Sequence, residues 1–490
     1  MTDRHRLSSI HFKPLGNDPA RQTAMTIFGF FVFWFCLYLR GFPRPMVDDL
    51  FYVGSAINLS QTGDLLNPLL SAWSEPTSDR FFVYPPFHSY TLAAWLRVLG
   101  VGTRSLLLFQ FTCYTVFSTF ITLIFRKYKF SLASIIATVF VYAIFIGRMG
   151  LRPDALGLAY LIVGLWSLTS DRSDRYFWGF ALLGASIFTA PILICYAAPL
   201  GLFLIIANFR KQANINFDYS LKRLAALLMA VVLNAFFLVW GVQFELQRFL
   251  ADLSWHKSLR VAEPWQVLEV VGFTLSQGYA KIFYGSLYLT LIVLVIFLWM
   301  RWRQNKRSLL WLVAVLGISL ILNFFIYSGT LATNFNFACS VVMVLILFNL
   351  RTSLLVRSGL CGLTLLTFCL YQSLGIVACL GQKDSDSVQY QETLLWFNDH
   401  PQYDYAIDEV VARFVFDYRI PDGITDWNYQ NPVYFQPRSL TEKPTNTVWM
   451  VSTAKGAVTE GLSKDYERVQ LWGRQFNSIP QRPYDVIRVK

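Results

Sequence analysis

The sequence predicts a membrane-embedded all-α bundle of about eleven helices, followed by a small α/β domain outside the cytoplasm. The bundle is predicted by composition, because 55% of the 490 residues are hydrophobic and only 15% are charged. Soluble domains carry nearer about 25% charged residues. The second domain is predicted by a change after residue 381, where long apolar runs give way to short ones separated by Pro, Gly and Asp.

Apolar runs long enough to cross about 30 Å of hydrocarbon define the predicted membrane helices. They lie at 24–40, 104–125, 130–147, 155–170, 176–191, 193–209, 224–243, 283–300, 308–328, 337–350 and 358–381. The run 87–100 is apolar on one face and short, which predicts a helix at the membrane interface. All seven cysteines fall inside apolar runs, so we expect neither a disulfide framework nor a metal knuckle.

The distribution of Lys and Arg predicts the orientation of the chain. One alternating set of loops is made of 1–23, 126–129, 171–175, 210–223, 301–307 and 351–357, and carries 19 Lys and Arg in about 60 residues. Because cation-rich loops stay in the cytoplasm, we expect the N-terminus there, and the loop 41–103, the loop 244–282 and the tail outside. The net charge of +12 follows these clusters and forms no stripe, so we expect no nucleic-acid partner.

The tail is predicted to be a domain of its own. Residues 1–381 form the predicted membrane domain, and 382–490 are numerous enough for a separate hydrophobic core. A helical pattern opens the tail at 388–400, and strand-like runs follow at 413–420, 446–453, 468–473 and 484–490. These elements predict a small α/β fold.

Two adjacent carboxylates, Asp48 and Asp49, follow the first apolar run in the stretch PRPMVDDLF. Apolar residues recur after them at helical spacing, which predicts an amphipathic helix on the membrane surface, closed by Gly63 and Asp64. Asp is a favoured helix N-cap and is stabilised there by the helix dipole. On this feature alone, a cap and a catalytic role are equally good interpretations.

The second outer loop, RMGLRPDALG, places Arg148, Arg152 and Asp154 at the membrane surface. Headgroup-anchored arginines and an Asp in a first helical turn explain these residues without any chemistry. Both outer loops nevertheless bring carboxylates together with arginine at the same depth. A site that binds a lipid phosphate and deprotonates a hydroxyl needs these two residue types.

In this order, the motifs resemble those of the GT-C glycosyltransferases, polytopic enzymes that use sugars linked to a polyprenyl phosphate. The similarity is closest to the bacterial branch related to protein O-mannosyltransferases and the lipid A aminoarabinose transferase. It is carried by the acidic pair, Tyr52, Ala56, TGDLLNP at 62–68, the double proline 85–86 and RPD at 152–154. The predicted topology, with its outer α/β tail, also resembles that family.

The resemblance implies roles for these residues. Asp48 matches the catalytic base, which takes a proton from the acceptor hydroxyl, and Asp49 matches its acidic neighbour. The hydroxyl then attacks the anomeric carbon with inversion while the polyprenyl phosphate leaves. The substrate-binding candidates are Arg152, Asp154, Arg148, Tyr84, Lys257 and Arg260; Tyr84 stands where the lipid A transferases carry a lysine before the double proline.

The resemblance also implies partners and a location. The donor is a polyprenyl-phosphate-linked sugar, the acceptor a lipid, glycan or protein, and the place the outer face of the bacterial inner membrane. No metal or other cofactor is expected, because related enzymes with monophosphate donors do not generally require one.

Two other classes of protein remain as alternatives. A polysaccharide polymerase or ligase is expected to depend on outer-loop arginines such as Arg248 and Arg260, and to tolerate loss of the Asp48 carboxylate. A lipid-linked glycan flippase is disfavoured as a coupled transporter, because the predicted helix interiors between 104 and 381 hold no Asp, Glu, Lys or Arg.

Overall fold

The structure is a computed structural model. Its described residues before 261 are mainly helical, and those of the tail form four strands. It describes residues 19–43, 49–67, 80, 82, 85–128, 130–147, 150–169, 174–202, 217–260, 404–406, 447–452, 466–473 and 482–489.

Three helices in the described residues are long and apolar enough to cross a membrane. They are α1 (Pro19–Leu39), α4 (Thr103–Lys127) and the part of α9 (Phe217–Gly241) that begins at Leu221. A helix of 21 residues, such as α1, is about 31 Å long, which matches the hydrocarbon thickness. Large apolar side chains on α1 and α9 are exposed, for example Phe28 and Val232, as is expected of helices that face lipid. These properties are those of a helical membrane protein.

The shorter helices fall where apolar runs predicted them. They are α5 (Leu132–Gly147), α6 (Asp154–Leu168), α7 (Asp174–Thr189) and α8 (194–202), the last entered through a 3-10 turn at Pro191–Leu193. The predicted spans from 283 to 381 lie outside the described residues. The count of eleven therefore stays a prediction.

The first outer loop contains two helices, α2 (Asp49–Thr62) and α3 (Phe87–Leu99). The predicted bounds of α2 are confirmed, since it begins in the acidic pair and ends before Gly63, whose φ of +85° lets the chain leave the helix. Residues 52–57 span more than one helical turn and are all buried, whereas Gln61 and Thr62 at the end of α2 are exposed. Hydrophobic periodicity in α2 alone could not show that neighbouring segments cover its polar side as well.

The core between α1, α4 and α5 is aromatic. The Trp34 ring lies 4.9 Å from that of Tyr114, and the Trp34 indole N–H donates to Ser118 Oγ at 2.8 Å. The Tyr142 ring stacks on Phe117 at 3.9 Å. Because the buried indole N–H has a hydrogen-bond partner, the large apolar area of Trp34 is buried without an unsatisfied donor.

Helices α6, α7 and α9 approach each other closely through small residues and one amide. A Cβ at Gly164 on α6 would lie 2.9 Å from the carbonyl oxygen of Gly179 on α7. Asn234 on α9 donates to the Ala181 carbonyl oxygen of α7 at 3.2 Å, and its side chain occupies the space beside Gly184. Small residues and interhelical hydrogen bonds are the usual means of association between helices in lipid.

The described part of the tail forms one four-stranded sheet. Its strands are β1 (Asp404–Ala406), β2 (Thr447–Ser452), β3 (Tyr466–Gly473) and β4 (Arg482–Val489), in the order β1-β2-β4-β3. The β1–β2 pair is parallel and the other two pairs are antiparallel. Three strand-like runs of the sequence coincide with β2, β3 and β4. The runs at 388–400 and 413–420 lie outside the described residues, so the α/β domain stays a prediction.

A close contact between α2 and the TGDLLNP motif gives a test of this fold. The Asn67 side chain lies against Gly54, where an added Cβ would be 2.1 Å from Oδ1. We expect Gly54→Ala to lower the free energy of unfolding by about 1–3 kcal/mol through overpacking, measured by thermal unfolding. Gly29→Ala is the control, because a Cβ there meets nothing within 4 Å. Equal thermal stability of Gly54→Ala and Gly29→Ala would contradict the contact between Asn67 and Gly54. So would a double variant in which Asn67→Ala does not restore the stability lost through Gly54→Ala.

Candidate functional site

A buried carboxylate joins the loop 41–103 to the turn before α6. Asp49, the first residue of α2, is 0% exposed, and its Oδ1 accepts a hydrogen bond from the Leu151 backbone N–H at 2.8 Å. The N-terminal end of the α2 dipole further favours a negative charge at this position. The turn before α6 is therefore held against the start of α2, as expected if both segments lie on the same side of the membrane.

The arginine of the RPD motif lies beside this junction. Arg152 Nε donates to Asp154 Oδ2 at 3.1 Å, and the Arg152 guanidinium carbon lies 5.5 Å from the centre of the Tyr52 ring. The Arg152 side chain is 14% exposed and that of Asp154 is 3% exposed. Tyr52 lies one helical turn after Asp49. The acidic motif and the RPD motif thus form one cluster that holds a carboxylate, an oriented guanidinium and an aromatic face.

The remaining predicted site residues fall in two groups. Asp48, Tyr84 and Arg148 lie outside the described residues. Lys257 and Arg260 lie in the last turns of α10 (Leu246–Arg260), within the loop that the sequence predicts at 244–282. Within the part of the chain that the structure describes, no three His, Cys, Asp or Glu residues group as metal ligands.

His88 belongs to this region and was given no role from the sequence. It lies two residues after the double proline, is 4% exposed, and forms a hydrogen bond with the Tyr52 backbone. Burial lowers the pKa of His88 to about 4, against the opposing effect of this hydrogen bond, so the imidazole is neutral at pH 7. Its Nε2 has no hydrogen-bond partner among the residues that the structure describes, and the ring meets Phe109 edge-on at 6.2 Å. His88 therefore supports the segment of α2 on which Arg152 rests.

An ion-pair bridge joins two parts of the loop 41–103 to the start of the loop 244–282. Arg80 donates from Nε to Asp64 Oδ1 at 3.0 Å and from Nη1 to Glu245 Oε1 at 2.6 Å. Hydrogen bonding to Asp64 is the largest cause that raises the pKa of Arg80. Close by, the Phe82 backbone N–H donates to Asp252 Oδ2 on α10 at 2.9 Å. The loop 41–103 therefore contacts both the turn before α6 and the start of the loop 244–282.

A small apolar cavity of about 210 Å³ opens beside the double proline, between α3, α7 and the end of α9. It is lined by Pro85, Pro86, Phe87, Tyr90, Thr91, Phe188, Phe237, Leu238, Trp240 and Gly241. The Tyr90 and Trp240 rings lie 4.9 Å apart on its wall, and Trp240 is 44% exposed at the outer surface of α9. Apolar cavities of about 150 Å³ bind small hydrocarbons such as benzene. This cavity suits part of a hydrocarbon chain.

The neutral state of buried His88 predicts a pH dependence of stability. In the unfolded chain the pKa of a His is about 6.5. The unfolded state therefore binds a proton more tightly than the folded state does, and the free energy of unfolding falls as the pH drops from 6.5 towards 4. This loss amounts to about 3 kcal/mol by pH 4. His88→Asn retains a donor near Nδ1 but does not titrate. We expect thermal unfolding of the wild type to depend more steeply on pH than that of His88→Asn; parallel profiles would contradict the burial of His88.

Compared with models of known protein families and with curated proteins, the chain shows no match to either. Function must therefore be inferred from the cluster around Asp49 and Arg152 and from the order of the sequence motifs.

Proposed function

We propose that the chain is a polytopic membrane glycosyltransferase that transfers a sugar from a polyprenyl phosphate to a lipid, glycan or protein acceptor. One observation carries the proposal: the Asp49–Leu151 hydrogen bond, at 2.8 Å, joins the acidic motif to the RPD motif. Two motifs that are about 100 residues apart, and that resemble the GT-C motifs in order, thus belong to one site. That site combines carboxylate and guanidinium, the groups needed for a hydroxyl acceptor and a phosphate leaving group.

The mechanism divides the acidic pair between two tasks. Asp49 is buried and accepts the Leu151 N–H, which suits it to position the second loop. Asp48 is then the base. Its carboxylate takes the proton of the acceptor hydroxyl, the oxygen bonds to the anomeric carbon on the face opposite the phosphate, and the carbon–oxygen bond to the phosphate breaks with its electron pair. Asp48 afterwards returns the proton to water.

Arg152 is proposed to stabilise the leaving phosphate. A fixed cation aimed at a developing negative charge lowers the barrier without reorganisation. Asp154 and the Tyr52 ring orient the guanidinium on two sides. Asp154 acts here as a positioning residue, because it holds Arg152 and has no role in proton transfer.

The apolar cavity supports the lipid part of the proposal. It opens at the end of α9, whose outward face carries exposed apolar side chains such as Phe236 and Trp240. A prenyl chain that approaches through the bilayer meets this face before any polar group. The double proline and Phe87, which directly precede His88, form one wall of the cavity.

The proposed topology has about eleven spans, a cytoplasmic N-terminus and the tail on the outer, periplasmic side of a bacterial inner membrane. The described residues bear on one part of it, namely that residues of the cation-rich loops lie at the end opposite the site. Lys127 and Arg175 lie there, on the last turn of α4 and the first turn of α7. This arrangement agrees with the positive-inside bias.

The catalytic assignment is tested by Asp48→Asn. We expect this variant to lose at least about 100-fold in transfer, the usual scale for removal of a general base. Envelope glycolipids and glycans are compared by mass spectrometry in cells that lack the gene and carry either the wild type or the variant. The wild type should add the mass of one sugar to the acceptor, and Asp48→Asn should not.

Asp64→Asn is the matched control, because Asp64 lies in the same outer loop but pairs with Arg80 at the edge of the site. We expect it to transfer nearly as well as the wild type. Full transfer by Asp48→Asn, combined with its loss in Arg248→Gln and Arg260→Gln, would refute the proposal in favour of a polymerase or ligase.

The role of the cavity is tested by Gly241→Val. A Cβ at Gly241 lies 3.2 Å from Pro86 Cγ and 3.7 Å from the Tyr90 ring, so the larger side chain fills the cavity. We expect weaker donor binding, seen as a rise in KM for the lipid-linked sugar of about 10-fold with kcat little changed. Gly29→Val, in the open surface of α1, controls for a β-branched residue in a helix. An unchanged KM in Gly241→Val would exclude the cavity as the lipid site.

A further inference from the structure

Two cations from different helices converge on the last turn of α6, at the end of the bundle away from the candidate site. Lys127 of α4 donates from Nζ to the Thr169 carbonyl oxygen. The Arg175 guanidinium carbon, from α7, lies 4.9 Å from the centre of the Trp166 ring. Because Trp166 and Thr169 are three residues apart, they are neighbours on the surface of α6. Lys127 and Arg175 therefore meet at one place.

A third cation extends this group towards α9. Arg223 lies over the Tyr176 ring at 4.1 Å and donates from Nη2 to its hydroxyl. Since Tyr176 follows Arg175 directly, the three cations run from α4 across the α6–α7 turn to α9. We call Lys127, Arg175 and Arg223 the basic row.

The contacts of Lys127 and Arg175 leave the positive charges of these two residues in place. Lys127 is bonded to a neutral carbonyl group and Arg175 lies on a neutral indole ring. Neighbouring Arg126 has a buried Nε and a buried Nη2, neither of which has a hydrogen-bond partner in the described residues. These two nitrogens form the edge of a guanidinium that binds a phosphate or carboxylate through two parallel hydrogen bonds.

Exposed aromatic side chains place the row at the depth of lipid headgroups. Trp178, on the second turn of α7, is 60% exposed, and Tyr128, directly after α4, is 53% exposed. Trp and Tyr collect at the boundary between hydrocarbon and water. The row lies beside both residues, at a level where phosphates of the inner leaflet are present.

We propose that the basic row, with Arg126 beside it, binds the phosphate of an anionic membrane phospholipid. Phosphate diester oxygens accept hydrogen bonds from Lys and from the Arg guanidinium, while the acyl chains lie along the apolar faces of α4 and α7. This lipid is distinct from the proposed sugar donor, because α4 with its 25 residues separates the two ends by about 37 Å. The inference rests on the proposed membrane insertion and does not depend on sugar transfer.

Lipid retention by the purified full chain tests the proposal. The chain is placed in micelles with equal amounts of phosphatidylglycerol and phosphatidylcholine, and bound lipid is counted by native mass spectrometry. We expect phosphatidylglycerol to be retained selectively. Lys127→Gln and Arg175→Gln should each weaken its binding about fivefold, because one cation near a membrane surface contributes about 1 kcal/mol.

The control is Arg104→Gln, an exposed cation at the opposite end of the same helix; it should retain the lipid as the wild type does. Arg175→Lys keeps the charge and should retain most of the binding, and unchanged thermal unfolding shows that each variant is folded. Equal retention of the two lipids overturns the proposal, as does equal loss in Arg104→Gln. Displacement of the lipid by millimolar inorganic phosphate would instead indicate a free-anion site, which also overturns it.

Discussion

The end of the molecule that holds the candidate site depends on a carboxylate that has been taken out of water. Asp49 is 0% exposed, and an ionised carboxylate in such a place is tolerated only with hydrogen-bonding partners. The Leu151 backbone N–H is one such partner. It is presented by a turn at Gly150, whose φ of +57° belongs to the left-handed region that glycine enters most easily. Loss of the carboxylate would leave a buried N–H unsatisfied and release the second loop from α2.

The other contacts at this end of the molecule surround the junction between Asp49 and Leu151. Arg152 is the next residue after Leu151, so fixing one places the other against the Tyr52 ring. His88 forms a hydrogen bond with the backbone of Tyr52. Further out, Arg80 joins the first outer loop to Glu245, and a small apolar cluster that includes Phe82 and Phe249 fills the space between them. A rigid support of this kind is what a site needs to hold charged groups in a productive geometry.

Much of the local structure could be predicted from the sequence, because its signals are local. The start of α2 at the acidic pair, its end at Gly63, and the apolar runs of α4 to α7 all follow from spacing and from turn residues. Burial of residues 52–57 around the whole circumference of α2 could not be predicted, since it depends on segments distant in the chain. The same holds for Arg80, whose partner Glu245 is 165 residues away, and for His88, for which only its place after the double proline gave a signal.

The central claim is that the outer end transfers sugar from a lipid phosphate. Its most direct test uses the purified chain, reconstituted with lipids extracted from the cell envelope, and measures the release of free polyprenyl phosphate by mass spectrometry. Our account predicts release at the rate at which the lipid-linked sugar disappears, with the acceptor gaining one sugar. An unchanged amount of the lipid-linked sugar would contradict it. Transfer of a glycan without release of polyprenyl phosphate would contradict it as well.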